Sequence, residues 1–205
     1  SFAPAVGAGA GAKEWEVPRF LRTAKRAALS PMERGTAIHA LMQHLDFAEV
    51  PDIAAIERQA RSLFDQGILT EDAYQSLDVR NVWRFVSSAL GRRLRAAKRV
   101  YRELPFGRLL PAKKYYKEAQ DEADRIFLQG IIDVLFEEEN GDYILLDYKT
   151  DRHISPQDAR TRYQFQMDLY CDAVETILGR PVKECYLFLL DTGREVRMDR
   201  QEASA

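Results

Sequence analysis

Apolar residues recur at helical spacing in the first half of the chain and in short continuous runs in the second half. The stripe from Ile38 to Leu45 follows Ser30-Pro31, a pair typical of a helix start, so a helix is predicted there. Further helices are predicted over residues 19–28, 52–66 and 70–77, and from residue 78 onward, the last interrupted at Gly91.

The second half of the chain predicts a sheet. The runs Gln129–Phe136 and Tyr143–Lys149 have the length of buried strands, and the charged segment between them contains Asn-Gly, which favours a hairpin. We expect an α/β fold with a central mixed sheet flanked by helices and an N-terminal helical part. Other strands are predicted over residues 100–106, 182–190 and 195–198, a polar excursion over 113–125, and a long helix over 157–178 ended by Gly179 and Pro181.

Charged residues stand at the ends of these two apolar strands. Asp147 and Lys149 share a face because side chains alternate along a strand, and the hairpin can bring Asp133 beside Asp147. Two carboxylates bind a hard cation such as Mg²⁺, and a lysine beside it can hold a phosphate or orient a water. The pattern indicates metal-assisted phosphodiester hydrolysis. The alternatives are a strand end at the surface for Asp133 and a surface ion pair for Asp147 and Lys149.

Three further residues could join this site. His39 lies beside an apolar stripe, where a histidine is either a satisfied core residue or a ligand. Gln166 and Tyr170 are one helical turn apart and therefore share a face, either as a helix flank or as part of a site.

Four separated segments resemble the PD-(D/E)XK nuclease superfamily, in which an acid ends one strand and an acid-x-Lys triplet lies on the next. A histidine helix before the strands and a Gln-x-x-x-Tyr helix after them are similar to the RecB-like branch. The residues of these segments are most similar to those of the C-terminal nuclease domain of AddA helicase–nuclease proteins, over roughly Met32 to Val196. The segments are GTAIHALMQHL, ELPF, LQGIIDVLFEEENGDYILLDYKTD and YQFQMDLY.

The resemblance implies a restriction-endonuclease-like core and roles for eight residues. It implies Mg²⁺ as the cofactor, with Mn²⁺ able to substitute. It assigns catalysis to Asp133, Asp147 and Lys149, metal binding to His39, Asp133, Asp147 and the Tyr148 carbonyl, and DNA contact or support to Gln166, Tyr170 and Glu103.

Composition limits the alternatives. With 205 residues, 46% of them hydrophobic, the chain can form one well-cored domain, and it contains no apolar run of membrane-spanning length and no visible signal peptide. A net charge of −2 argues against a general DNA-coating protein and for a local basic track, although a solvated helix face is the simpler interpretation. The candidate track is Arg92, Arg93, Arg95, Lys98, Arg99, Arg102, Lys113, Lys114 and Lys117.

Cys171 and Cys185 fit a reducing cytoplasm, and two cysteines cannot supply the four-cysteine iron–sulfur cluster of some RecB-like nucleases. Residues 1–13 have linker composition, and residues 14–205 are predicted to form the nuclease domain. Because the chain does not start with Met, we expect a fragment of a larger protein. No Walker-type phosphate loop occurs, so ATP would be used only by a motor elsewhere in the parent protein.

The family implies a parent machine in which a helicase motor feeds single-stranded DNA to the nuclease. The machine would act on duplex ends with an AddB-like subunit, in double-strand break repair and recombination. Two other interpretations stay open. One is a stand-alone RecB-like single-strand exonuclease, and the other is a non-catalytic DNA-binding or assembly module with the nuclease fold.

Overall fold

A computed structural model describes residues 30–112, 121 and 123–200. The predicted linker over 1–13, the helix over 19–28, most of the polar excursion over 113–125 and the lysines at 113, 114 and 117 lie outside the described residues. The helices of the first half are α1 Pro31–His44, α2 Ile53–Asp65, α3 Glu71–Ser76, α4 Val79–Ser87 and α5 Ala89–Arg95, with a short 3-10 turn at Phe47–Glu49.

Side chains that accept backbone N–H groups start these helices. At α1 the Ser30 hydroxyl accepts a hydrogen bond from the Glu33 N–H at 3.2 Å, and the Glu33 carboxylate accepts one from the Ser30 N–H at 2.7 Å. This reciprocal capping box satisfies two donors that the helix itself cannot satisfy. The sequence prediction of the start of α1 is therefore confirmed.

The predicted interruption at Gly91 is wrong, because α4 and α5 separate at Ser88. The Ser88 side chain caps α5 by accepting the Gly91 N–H at 3.0 Å. A Cβ at position 91 would stand 2.0 Å from the Phe85 carbonyl oxygen, a distance that real atoms cannot share. Gly91 therefore permits a close approach between two helices, and the break itself comes from the serine.

The sheet is mixed, as predicted, and its strands follow the order β1-β2-β3-β4-β5. The first three strands form an antiparallel meander, β3 and β4 are parallel, and β5 returns antiparallel to β4. The two strands of the first hairpin are longer than predicted, and one face of their outer halves is exposed, at Leu109, Phe127 and Ile131. The strands are β1 Arg99–Pro111, β2 Arg125–Glu137, β3 Tyr143–Lys149, β4 Val182–Leu189 and β5 Arg194–Arg197.

The long helix α6, Pro156–Leu178, makes the crossover between the parallel strands β3 and β4. Its cap is Ser155, whose hydroxyl accepts the Asp158 N–H at 3.1 Å, and it ends at Gly179 as predicted. In the described part of the chain no helix, α6 included, combines the length and apolar character that a bilayer crossing requires.

Two apolar clusters cover opposite faces of the sheet. Helices α1, α2, α4 and α5 pack on one face, where Phe136, Leu146 and Phe188 are fully buried. Helix α6 packs on the other face, against Leu145 and Leu187. A fully buried Leu or Phe stabilises the fold by roughly 1.5–3 kcal/mol, so both layers hold the sheet rigid where it carries polar side chains.

Candidate active site

Three acidic residues, here called the acid row, lie in one line across the sheet: Glu103, Asp133 and Asp147. The register of β1 and β2 places Glu103 opposite Asp133. The ladder between β2 and β3 ends at Val134 and Leu146, so Asp133 and Asp147 stand just beyond its last pair. The predicted proximity of the two aspartates follows from this hairpin register.

Asp133 joins the sheet to helix α1. Its Oδ2 accepts a hydrogen bond from the Tyr148 N–H at 2.7 Å, in the place where the β2–β3 ladder would continue. Its Oδ1 lies 3.3 Å from Nδ1 of His39. One buried carboxylate thus satisfies a strand amide and fixes an imidazole, as a buried charge requires.

Helix α1 approaches the end of β3 closely enough to bring His39 to the acid row. A Cβ at Gly35 would stand 3.0 Å from Oγ1 of Thr150, so a larger residue would require the Thr150 side chain or the helix to shift. His39 is one helical turn beyond this contact and is half-buried. The Gly-x-x-x-His spacing in the sequence therefore has a structural reason.

Glu103 has a left-handed backbone conformation, with φ at +48°. Non-glycine residues rarely adopt it, and it costs free energy that the surrounding fold must offset. Strand β1 changes faces at this point. The guanidinium of Arg102 lies 4.5 Å from the Phe47 ring on the side of the N-terminal helices, whereas Phe106 packs 5.4 Å from Tyr170 of α6. In a regular strand alternate residues share a face, so Arg102 and Phe106 would both lie on the same side of the sheet.

The ligand atoms of His39, Glu103 and Asp133 all lie within 4.8 Å of one another. An imidazole nitrogen together with carboxylate oxygens is a donor set that suits a divalent cation. The sequence analysis placed Glu103 in a supporting role, but its carboxylate lies alongside His39 and Asp133. Asp147 lies beside this group, but its Oδ2 is paired with the Lys149 ammonium at 2.7 Å, so its role as a further ligand stays a prediction. The residues present therefore fit a metal.

Lys149 lies on the α6 side of the acid row. Its Nζ is 2.7 Å from Oδ2 of Asp147, an ion pair without the angle of a hydrogen bond, and it donates to Oε1 of Gln166 at 3.0 Å. The Gln166 amide in turn donates to the Tyr170 hydroxyl at 2.9 Å. The structure thus brings Gln166 and Tyr170 to Lys149, on the shared helix face that their spacing predicted.

Mutual repulsion and burial dominate the electrostatics of the acid row. Burial, and then the charge of Asp133, raise the pKa of Asp147 to about 6, against the lowering influence of Lys149. Burial and the same Asp133 charge raise the pKa of Glu103. Burial lowers the pKa of His39, but the hydrogen bond and charge of Asp133 outweigh it, so the net shift is upward. A bound cation would relieve the repulsion among these acids.

Tyr148 meets the site through its backbone and through its ring, which lies edge-on to His39 at 6.2 Å between ring centroids. Its ring packs edge-on against Phe85 at 5.0 Å in the opposite core, and burial raises its hydroxyl pKa well above the ordinary range. Because the ring belongs to this apolar cluster, any contribution to a metal would come from the Tyr148 carbonyl, and this role stays a prediction.

Two members of the predicted basic track hold the fold together. Arg102 donates to the carbonyls of Gln43 and Leu45 at 3.1 and 2.7 Å, which ties β1 to the end of α1. Arg93 pairs with Glu138 at 2.8 Å and Glu184 at 2.6 Å. For these two arginines, the expectation of a DNA-facing track is replaced by a structural role.

The sequence analysis missed one residue that touches the lysine. The Lys149 ammonium lies 4.1 Å from the centroid of the Tyr163 ring. Tyr163 stands three and seven residues before Gln166 and Tyr170, so helical spacing places it on their side of α6 and could have identified it.

Comparison with known proteins agrees with this geometry. Residues 13–204 match the family model described as the PD-(D/E)XK nuclease superfamily. The chain belongs to that superfamily. The assignment of the lone strand acid to Asp133 and of the acid-x-Lys triplet to Asp147-Tyr148-Lys149 of this PD-(D/E)XK domain stays a prediction from the sequence.

The curated relatives are much longer than this PD-(D/E)XK domain. The A subunit of the ATP-dependent helicase/nuclease from Heliobacterium modesticaldum is 43% identical over 188 residues, which cover 88% of this chain and 13% of the relative. The protein of the same name from Ruminiclostridium cellulolyticum is 39% identical over 186 residues, covering 88% and 14%. The chain therefore spans about one seventh of these relatives. A solved structure, the crystal structure of SSO0001, has a TM-score of 0.37 and 13% identity, covering 82% of this chain and 67% of that one.

Proposed function

We propose that this domain is a divalent-metal-dependent deoxyribonuclease that hydrolyses phosphodiester bonds in single-stranded DNA. The observation that carries the proposal is the buried ion pair of Asp147 and Lys149. This pair lies at the end of the acid row, whose carboxylates repel one another. An isolated surface ion pair would contribute little to stability and would not be buried. Here Asp147 and Lys149 have only 4% and 14% of their side-chain surface exposed.

The metal would be Mg²⁺, with Mn²⁺ as a substitute, held by His39, Asp133, Asp147 and the Tyr148 carbonyl. Glu103 lies close enough to His39 and Asp133 to share in this binding. A bound divalent ion supplies Lewis-acid polarisation of the scissile phosphate and acidifies a water molecule. The chain itself supplies buried, mutually held side chains, whose charges act more strongly than they would in water.

Lys149 would act on the phosphate. Its ammonium is held between Asp147 and Gln166, so it can offset the negative charge that develops on the phosphate oxygens without first reorganising. Gln166 and Tyr170 would orient the lysine, and their exposed edges could also contact the DNA strand. Asp133, through the Tyr148 N–H, fixes the end of β3 on which Lys149 stands.

The parent protein would be an AddA-like helicase–nuclease of the cytoplasm, with residues 1–13 as a linker and residues 14–205 as its nuclease domain. Support comes from the curated relatives, whose name joins the words helicase and nuclease and whose similarity covers 88% of this chain. In this proposal ATP is used only by the motor, and an AddB-like subunit is the partner. The machine would process duplex ends in double-strand break repair and recombination.

A cleavage assay on the 205-residue chain tests the nuclease proposal. End-labelled single-stranded and duplex oligonucleotides are incubated with Mg²⁺, Mn²⁺, Ca²⁺ or a chelator. We expect cleavage of the single strand with Mg²⁺ and Mn²⁺, little with Ca²⁺, and none with the chelator. Asp147→Asn is the inactive control. Binding of DNA without cleavage under every metal condition would favour a non-catalytic module.

A calorimetric Mn²⁺ titration tests the metal ligands separately from cleavage. Only neutral imidazole and ionised carboxylates bind a metal. Because the pKa of His39 is raised and that of Asp147 is about 6, affinity should fall as the pH drops from about 7.5 to 5.5. His39→Ala should bind more weakly and with a flatter pH dependence. His44→Ala is the matched control, since His44 is exposed on another face of α1. Equal behaviour of the two variants would remove His39 from the metal site.

A further inference from the structure

The lysine of the candidate site rests on an aromatic ring. Asp147 and Gln166 contact the Lys149 ammonium on two sides. The face of the Tyr163 ring lies under the ammonium, which is 4.1 Å from the ring centroid. A cation over an aromatic face is attracted by the ring quadrupole, and the attraction grows when the pair is partly desolvated. With 14% of its side chain exposed, Lys149 meets that condition.

Tyr163 is itself held in place. Its hydroxyl donates a hydrogen bond to Oδ2 of Asp151 at 2.6 Å. The other oxygen of Asp151 accepts from Nη1 of Arg162 at 2.7 Å. Asp151 stands two residues after Lys149 on the loop that leaves β3. The ring therefore has a fixed orientation, set by a residue close in sequence to the lysine that it supports.

An aromatic face serves the lysine differently from another polar group. An ammonium has three N–H donors, and Lys149 donates one of them to Gln166 and forms an ion pair with Asp147. A further acceptor beneath the ammonium would engage another donor. A ring holds the charge without being a directional acceptor. The four-carbon lysine stem is otherwise flexible, and ordering it at the moment of reaction would cost conformational entropy.

We propose that Tyr163 is a positioning residue for Lys149, which holds the ammonium in place by its ring face and leaves one N–H free for a phosphate oxygen. The proposal rests on the nuclease function proposed above and adds a residue to it. Asp151 contributes to the same positioning, because its hydrogen bond orients the Tyr163 ring.

The experiment compares Tyr163→Phe, which keeps the ring, with Tyr163→Leu, which removes it. We expect Tyr163→Leu to lose roughly 10-fold in kcat, and Tyr163→Phe, which keeps the ring but not its hydrogen bond to Asp151, to lose clearly less, with KM for DNA and Mn²⁺ affinity unchanged in both. Tyr74→Leu is the matched control, because Tyr74 also lies beside a cation, 5.9 Å from Arg61, but on the N-terminal helices. That control should leave kcat unchanged.

A second readout does not depend on cleavage. Ring currents shift the ε-methylene NMR signals of a lysine that sits over an aromatic face, and the Lys149 signals are assigned from their loss in Lys149→Arg. The shift should persist in Tyr163→Phe and disappear in Tyr163→Leu. If the wild-type domain shows the shift but does not cleave DNA, the proposed nuclease function is contradicted and the contact between Lys149 and the Tyr163 ring is supported. An active wild-type domain defeats the positioning role if the Leu and Phe variants have equal kcat, or if Leu weakens metal binding instead.

Discussion

The two ends of the candidate site differ in the charges that they bring together. On the side of α1, an imidazole nitrogen and two carboxylates, from His39, Glu103 and Asp133, have ligand atoms within 4.8 Å of one another. Burial and the charge of Asp133 raise the pKa values of Glu103 and Asp147. On the side of α6, Lys149 is enclosed by Asp147, Gln166 and Tyr163, which together satisfy its charge. In the proposed function the first side takes up a cation from solution, whereas the protein's own side chains surround the lysine on the second. Changes on the two sides should therefore affect different measured quantities.

The largest effect is expected on the acid side. Asp133→Asn or Asp147→Asn should reduce cleavage by at least roughly 10³-fold, because each removes a charged ligand for the cation and leaves the other donors too weak. The measurement is single-turnover cleavage with Mg²⁺, with circular dichroism to confirm folding. If a folded variant cleaves at a rate within roughly tenfold of the wild-type rate, that aspartate does not belong to the site.

Asparagine is the informative substitution at position 133. It keeps an oxygen that can accept the Tyr148 N–H, whereas Asp133→Ala leaves that buried donor without a partner. The alanine variant should therefore also lose about 1–3 kcal/mol of unfolding free energy. Urea denaturation of the two variants separates the structural role of Asp133 from its chemical role.

On the lysine side the expected loss falls on turnover. Lys149→Met should lower kcat by roughly 10²–10³-fold while Mn²⁺ still binds, because the ammonium acts on the phosphate and lies outside the predicted ligand set. Steady-state cleavage and calorimetry on the same preparation provide both numbers. Loss of metal binding with Lys149→Met would show that the two sides are not separable. Lys98→Met, a control on the partly exposed pair with Glu137, should change neither quantity.

The acid row should also destabilise the metal-free domain at neutral pH. The pKa of Asp147 is raised from 3.8 to about 6, so the folded state holds this proton more tightly than the unfolded state. Stability from this group is fully present below about pH 4 and is lost as the pH rises through about 6, by at most about 3 kcal/mol. Asp147→Asn should therefore be more stable than the wild type in chelator at pH 7, by about 1–3 kcal/mol, and similar near pH 4.

Urea titrations at the two pH values check this prediction, and Asp65→Asn on the exposed face of α2 is the control. A pH-independent difference between Asp147→Asn and the wild type would contradict the raised pKa. Saturating Mn²⁺ should reverse the order at pH 7, because only the wild-type carboxylate gains from the cation.

The smallest expected effect concerns the strained backbone at Glu103. Glu103→Gly and Glu103→Gln both remove the carboxylate charge, but only glycine adopts a positive φ without a steric penalty. The glycine variant should be more stable than the glutamine variant by about 1 kcal/mol, while both should cleave more slowly than the wild type. Thermal unfolding and cleavage of the pair measure this. Equal stabilities would mean that the surrounding strands already absorb the strain.

Local rules were sufficient for part of this site. Strand alternation and an Asn-Gly turn predicted that Asp147 and Lys149 share a face near Asp133, and helical spacing predicted the Gln166–Tyr170 pair. These inferences need only residues close in sequence, whose geometry the backbone fixes.

The remaining features depend on packing that a single sequence does not reveal. The approach of His39 to Asp133 requires α1 to dock on the sheet, about ninety positions away in the chain. The change of faces at Glu103 violates the alternation on which strand prediction relies. Gly91 was interpreted as a break because a glycine that permits close contact and one that ends a helix look alike in sequence.

The antiparallel meander has a consequence for the order in which the domain becomes structured. Its three strands are consecutive, so the acid row can form through hairpins that close short stretches of chain. The lysine surroundings must wait for α6 and for the parallel pairing of β3 with β4, which spans a longer segment. We expect pulsed hydrogen exchange during refolding to protect β2 and β3 amides before those of α6 and β4. A chain emerging from the ribosome would then have its three acids aligned before it has a positioned lysine.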